Sequence, residues 1–144
     1  MSSVERTLTV DQPIEKVWAY LSDFRTTEEW DPPTVRTERV SGDGGIGTRY
    51  HNVSKMLGSE QDVEYVVTDY VENSRLQLRG DAGSVNLLDT ITLERSGSGT
   101  SVTYHAEFTP VGAAKLVEPL LPAGLKVLAD RVASSLEERL QQLS

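Results

Sequence analysis

From Gly112 to Leu143 the apolar residues Leu116, Val117, Leu120, Leu121, Leu125, Leu128, Val132, Leu136, Leu140 and Leu143 keep the three-and-four spacing of one helical face. A stripe of this length has to be laid on something, and no other helical stretch in the chain is large enough to receive it. Pro119 and Pro122 interrupt the pattern, so a continuous helix is expected over 123–143, with its first turns kinked or separate. Whatever that helix covers must come from the preceding residues.

Those residues read as strands. Between Thr34 and Pro110 six β-rich runs, 34–41, 47–55, 61–71, 75–80, 85–95 and 100–109, are separated by short turn clusters, which implies an antiparallel meander. Ser3 to Val10 adds a first strand, with Val4, Arg6, Leu8 and Val10 on one face. Pro13 then suits the first turn of a helix carrying Ile14, Val17, Trp18 and Leu21. Ser22-Asp23 can cap a second short helix with Phe24 and Trp30, which Asp31-Pro32-Pro33 stops. The expected class is α+β: a seven-stranded antiparallel sheet, two short helices between strands 1 and 2, and one long helix on the apolar face of the sheet. With 144 residues and no internal repeat or long linker, one domain over 1–144 is expected.

Composition narrows the chemistry. The chain has no cysteine, which removes disulfides, thiolate metal sites and cysteine nucleophiles together. A net charge of −8 argues against a nucleic-acid partner and against anionic lipid surfaces. No stretch approaches the roughly 18 apolar residues of a membrane span, and the first ten residues lack a secretory pattern, so a cytoplasmic protein is expected. Asn52-Val53-Ser54 matches a glycosylation sequon but carries no weight without a secretory route. The Gly42 to Gly47 cluster lacks the Lys-Ser/Thr ending and following helix of a phosphate loop, and no nucleophile elbow or dinucleotide fingerprint occurs. No cofactor is expected, and no metal, because His51 and His105, the only histidines, fall on solvent faces of their strands.

Several stretches together carry a family resemblance: Val10-Asp11-Gln12-Pro13-Ile14-Glu15-Lys16-Val17-Trp18, Leu21-Ser22-Asp23-Phe24, Trp30-Asp31-Pro32, Gly47-Thr48-Arg49-Tyr50, Gly99-Thr100-Ser101-Val102-Thr103-Tyr104 and the leucine-rich C-terminal helix. In this order the chain resembles the START-like, helix-grip superfamily, most closely its bacterial polyketide cyclase/dehydrase and lipid-transport branch. The resemblance implies a curved sheet gripping the long helix around a hydrophobic cavity that takes lipids, polyketides or other small apolar ligands. Carriers, receptors and cyclases share this fold, so fold alone does not fix the activity.

Alternation selects side chains for that cavity, because residues two apart on a strand share a face. Val85, Leu87, Asp89, Ile91 and Leu93 point inward together, which sets the Asp89 carboxylate in an apolar row. Buried without a cation, it gains a raised pKa and becomes a candidate acid/base group or ligand anchor; a structural hydrogen bond or an outward bulge is the competing reading. Tyr104 shares a face with Val102, Ala106 and Phe108, Tyr65 with Val63 and Val67, and Tyr50 is preferred over His51 as the inward residue of its pair. Trp30 is singled out because its place before Pro32 lies at the cavity mouth in the resembling family, while a packing staple is the alternative. Arg49 and Arg79 alternate outward, unlike the cavity arginine expected of cyclase relatives. The expected ligand-binding set is Trp30, Tyr50, Tyr65, Leu87, Asp89, Ile91, Tyr104, Leu121, Leu125 and Leu128, with Asp89 the catalytic candidate. The segments Pro119 to Gly124 and Gly42 to Gly47 are expected to gate the entrance. The leading function is binding of a small hydrophobic molecule by a monomer or homodimer; the alternative is a polyketide aromatase/cyclase or dehydratase acting in the same cavity.

Overall fold

The computed structural model describes residues 1–56 and 58–144, with residues 56 and 117–123 described by backbone only. In chain order the elements are β1 (Ser2–Val10), α1 (Ile14–Leu21), a 3₁₀ turn (Phe24–Thr26), α2 (Thr27–Trp30), β2 (Thr34–Ser41), β3 (Arg49–Met56), β4 (Ser59–Val71), β5 (Arg75–Asp81), β6 (Val85–Ser96), β7 (Gly99–Pro110), a 3₁₀ segment (Gly112–Leu120) and α3 (Leu121–Gln141). The strands form one sheet in the order β1-β7-β6-β5-β4-β3-β2, antiparallel throughout. This is the helix-grip arrangement: every β2 to β7 neighbour is also a sequence neighbour, and only β1 pairs at a distance.

Small departures from expectation have local causes. Pro13 lies one residue outside α1, extended at φ −64° and ψ 146°, and its carbonyl accepts the first helical N–H groups from Lys16 and Val17. The continuous C-terminal helix starts at Leu121, two residues before the expected Ala123, because Pro122 falls in the first turn, where its missing N–H costs nothing. The 3₁₀ segment before it takes up the stretch containing Pro119. Leu116 leaves the apolar stripe and is 84% exposed, so the face that packs comes from Leu125, Ala129, Val132, Leu136 and Leu140, all buried.

Polar ties at two places hold α3 against the rest of the fold. At its end, the Gln12 amide nitrogen donates to the carbonyl of Gln141 (3.2 Å), an acceptor that the helix C-terminus leaves without an intrahelical partner, and to that of Leu143 (2.8 Å) just beyond it. Nearer its start, Arg6 Nε on β1 meets Asp130 Oδ1 at 2.8 Å. Between these ties the helix and the sheet enclose a continuous core that includes Leu8, Leu78, Ile91, Val102, Val132 and Leu136.

Candidate functional site

Toward the start of α3 the core opens into a cavity of about 320 Å³. Val63 on β4, Leu87 on β6, and Ala106 and Phe108 on β7 line its sheet side; Leu125, Leu128, Ala129 and Val132 line its helix side. Exposed Ser59, Gln61 and Ser84 mark the rim, at the starts of β4 and β6. The Gly42 to Gly47 loop lies elsewhere and cannot gate this opening: Gly47 N–H bonds to the Val67 carbonyl, far along β4 from Ser59, and no residue of the loop lines the cavity. The gating expected of Pro119 to Gly124 falls on residues whose side chains, Gly124 apart, are outside the described ones.

Asp89 projects into this space from the middle of β6, 6% exposed, with Leu78 and Ala106 as its cross-strand neighbours. Burial pushes its carboxyl up to about 7, and the negative charge of Asp31 adds to the rise; hydrogen bonds from the Tyr65 and Tyr104 hydroxyls oppose it. The same burial, together with the Asp89 charge, lifts both phenols well above their usual range, so they remain protonated donors. Tyr65 sits on β4, two strands from Asp89, and reaches it across Gly80, its register partner on β5. Tyr104 is held from the other side by Trp30, whose ring meets it edge-on with centroids 5.9 Å apart.

Asp31 is the second carboxylate of the cavity. It follows the last residue of α2 with an extended backbone (φ −100°, ψ 103°), and burial raises its carboxyl to about 6 against the hydrogen bond from Thr34. That bond ends a directed chain. Ser54 Oγ donates to Asn52 Oδ1 (2.6 Å), and the Asn52 amide nitrogen donates to Thr34 Oγ1 (3.1 Å) and Thr37 Oγ1 (2.8 Å). Thr34 then donates to Asp31 Oδ2 (2.6 Å). Thr27 donates to the Phe24 carbonyl (2.7 Å), so the 2.7 Å contact between Thr27 and Thr37 has Thr37 as its donor. Each hydroxyl has one proton, and in this wall each proton has one destination.

Of the residues expected around a ligand, Trp30, Tyr65, Leu87, Asp89, Tyr104, Leu125 and Leu128 line the cavity. Two do not. Tyr50 faces inward but is covered by Phe24, whose ring lies 5.7 Å from its own, and Ile91 is wholly buried further along β6. The Leu121 side chain is outside the described residues. Trp30 is a wall residue rather than a mouth residue: it is 1% exposed, with its indole N–H donated to Thr26 Oγ1 at 3.1 Å. Arg49 and Arg79 are exposed, and His51 turns to Asp62 at 3.0 Å. Among the described residues no group of three or more histidine or acidic side chains is placed to hold a metal.

Sequence reasoning passed over Asp31, Asn52 and Ser54. Asp31 looked like a helix stop, and Asn52 and Ser54 like an idle sequon. Their signal was present, since 50, 52 and 54 share the inward face of β3, and polar residues at such positions need partners.

Comparison with known proteins agrees with this architecture. A START superfamily protein from Mycobacterium smegmatis superposes with a TM-score of 0.76 at 17% identity, over 99% of both chains. An aromatase/cyclase, Zhui, from Streptomyces gives 0.75 at 17% identity, over 93% of this chain and 87% of its own. A protein from Thermus thermophilus gives 0.77 at 18% identity, over 96% of each. At these identities the likeness is one of fold. No curated protein matches the sequence. The family model described as polyketide cyclase / dehydrase and lipid transport matches residues 1–143, and the chain belongs to that family.

Proposed function

We propose that the protein binds a small hydrophobic molecule, lipid or polyketide-like, in the cavity between the sheet and α3. The observation that carries this reading is a cavity of about 320 Å³ whose helix wall, among the described residues, is apolar, while its polar groups come from the end of α2 and from β3, β4, β6 and β7. That combination suits a ligand oriented by one polar end and retained by burial of the rest. The family and the fold support it. In this reading 1–144 is one domain, acting in the cytoplasm as a monomer or homodimer without a nucleic-acid partner; the charge of −8 favours the last point, and among the described residues no helix is long and apolar enough to cross a membrane. Native mass spectrometry of protein purified from its own host should reveal a bound small molecule. Ala129→Phe, which fills the cavity from α3, should abolish the adduct, and an adduct that survives this change would sink the reading.

One observation favours a second reading, that of an aromatase/cyclase or dehydratase. A carboxyl held at about 7 beside two tyrosines suits a proton exchanged with a poly-β-keto chain near neutral pH. Asp89→Asn should then cut turnover of such a substrate by roughly 10²–10⁴-fold while leaving its binding nearly intact. Binding without conversion by the unaltered protein leaves the carrier.

A further inference from the structure

Resting on the reading of the cavity as a ligand site, the hydrogen-bond directions around it specify the ligand's polar end. Among the described residues that line the cavity, the side-chain donors of the interior are directed at protein acceptors. The Ser54 and Thr34 protons go along the chain to Asp31, both Asn52 amide protons go to threonines, and Thr27 donates to a backbone carbonyl. The Tyr65 and Tyr104 hydroxyls lie beside Asp89 and favour its charged form, and the Trp30 N–H serves Thr26. Among the described residues, only the exposed rim, at Ser59, Gln61 and Ser84, has other polar side chains, and none of those that line the cavity is Lys, Arg or His. What the interior leaves open is acceptor capacity, most of it on two carboxylates with no cation beside them.

We propose that the site takes an apolar molecule ending in an ammonium group, which donates to both Asp31 and Asp89. A primary or secondary ammonium supplies at once the two things this interior lacks, N–H donors and positive charge. A fatty-acid carboxylate supplies neither and would be a third anion in the same space. A metal ion is the other cation to consider, but two carboxylates fall short of the oxygen-rich shell that hard cations gather. The titratable groups facing Asp89 are Tyr65 from β4, Tyr104 from β7 and Asp31 from the end of α2; β5 offers Leu78 and Gly80, and α3 only apolar residues. The phenols stay protonated, so pH acts on this site through the two carboxyls. With Asp31 raised to about 6 and Asp89 to about 7, each binds its proton in competition with the ammonium, and affinity rises with pH through that range.

The test is displacement of the neutral dye Nile red by decylammonium, decanol and decanoate, three probes with the same tail. Decylammonium should bind about 10- to 100-fold more tightly than decanol at pH 8, the worth of a hydrogen bond to a charged group. That advantage should shrink at pH 5.5 and disappear in Asp31→Asn/Asp89→Asn, with the variant's dye binding and decanol affinity showing that its cavity is intact. Decanol or decanoate equalling decylammonium at pH 8 would overturn the inference and leave the cavity reading standing, as would an advantage that survives the double substitution, which would then reflect the net charge of −8. Failure of all three probes to displace the dye would end both.

Discussion

The ring of Tyr65 occupies the space that a side chain at Gly80 would fill: a Cβ built on Gly80 would stand 2.7 Å from the Tyr65 Cε1 and 3.2 Å from the Leu87 Cβ. The missing side chain on β5 is what lets a tyrosine on β4 serve a carboxylate on β6. Gly80→Ala should therefore displace Tyr65 and destabilise the protein by about 1–3 kcal/mol, the usual cost of overpacking. It should also raise the Asp89 pKa by removing a donor. Denaturant unfolding together with carboxyl carbon NMR titration checks both, and an unchanged Asp89 titration would show that Tyr65 does not depend on the gap.

Asp89 and Asp31 make stability fall as pH rises. Their native pKa values of about 7 and about 6 lie above the ordinary 3.8, so between about pH 4 and 7 the folded protein holds protons that the unfolded chain releases. Above that window the charge of buried Asp89 is a liability, and that of half-buried Asp31 a smaller one. Asp89→Asn removes one of them and should stabilise the protein by on the order of 2 kcal/mol at pH 8, with little effect at pH 4. Urea unfolding at the two pH values measures the difference, and an equal effect at both contradicts it.

Asn52 joins the polar wall by three side-chain hydrogen bonds, to Ser54, Thr34 and Thr37. Asn52→Ala strands the Ser54 hydroxyl without its acceptor in a buried setting and should cost about 2–3 kcal/mol. Ser54→Ala, which only removes a donor that Asn52 accepts, should cost less. Thermal unfolding of the two variants gives the order, and the reverse order would contradict the assigned direction of the chain.

Gln12→Ala releases the last carbonyl of α3, Gln141, and that of Leu143 just beyond it. The loss of two hydrogen bonds should cost about 1–2 kcal/mol and speed amide exchange in residues 138–143 more than in the middle of the helix. Uniform acceleration along α3 would mean that the tie is not local.

Much of this was legible from spacing. Alternation placed Asp89 in an apolar row, put Tyr50, Tyr65 and Tyr104 on inward faces, and set the arginines outside. It identifies a face, however, and not a depth along the strand. Tyr50 and Ile91 are on the inward face, yet one lies behind Phe24 and the other beyond the end of the cavity. Asp31 escaped because its direction depends on one extended residue after a four-residue helix, and no periodicity runs through a chain reversal. Gly80 was a gap in an otherwise regular pattern, and its meaning needed the ring that crosses it. The Leu116 misassignment has the same root: helical spacing continues through the 3₁₀ segment, where the turn is tighter and Leu116 turns to solvent.

The edge-on contact between Trp30 and Tyr104 gives the protein its own optical probe. Of its two tryptophans, Trp30 lines the cavity, whereas Trp18 on α1 packs against Tyr70 with centroids 5.2 Å apart and does not line it. A Trp18→Phe protein would keep a single indole in the cavity wall, shielded from water when the cavity is empty. Its emission would then report an arriving ligand, or a proton taken up by the nearby carboxylates, without any added label.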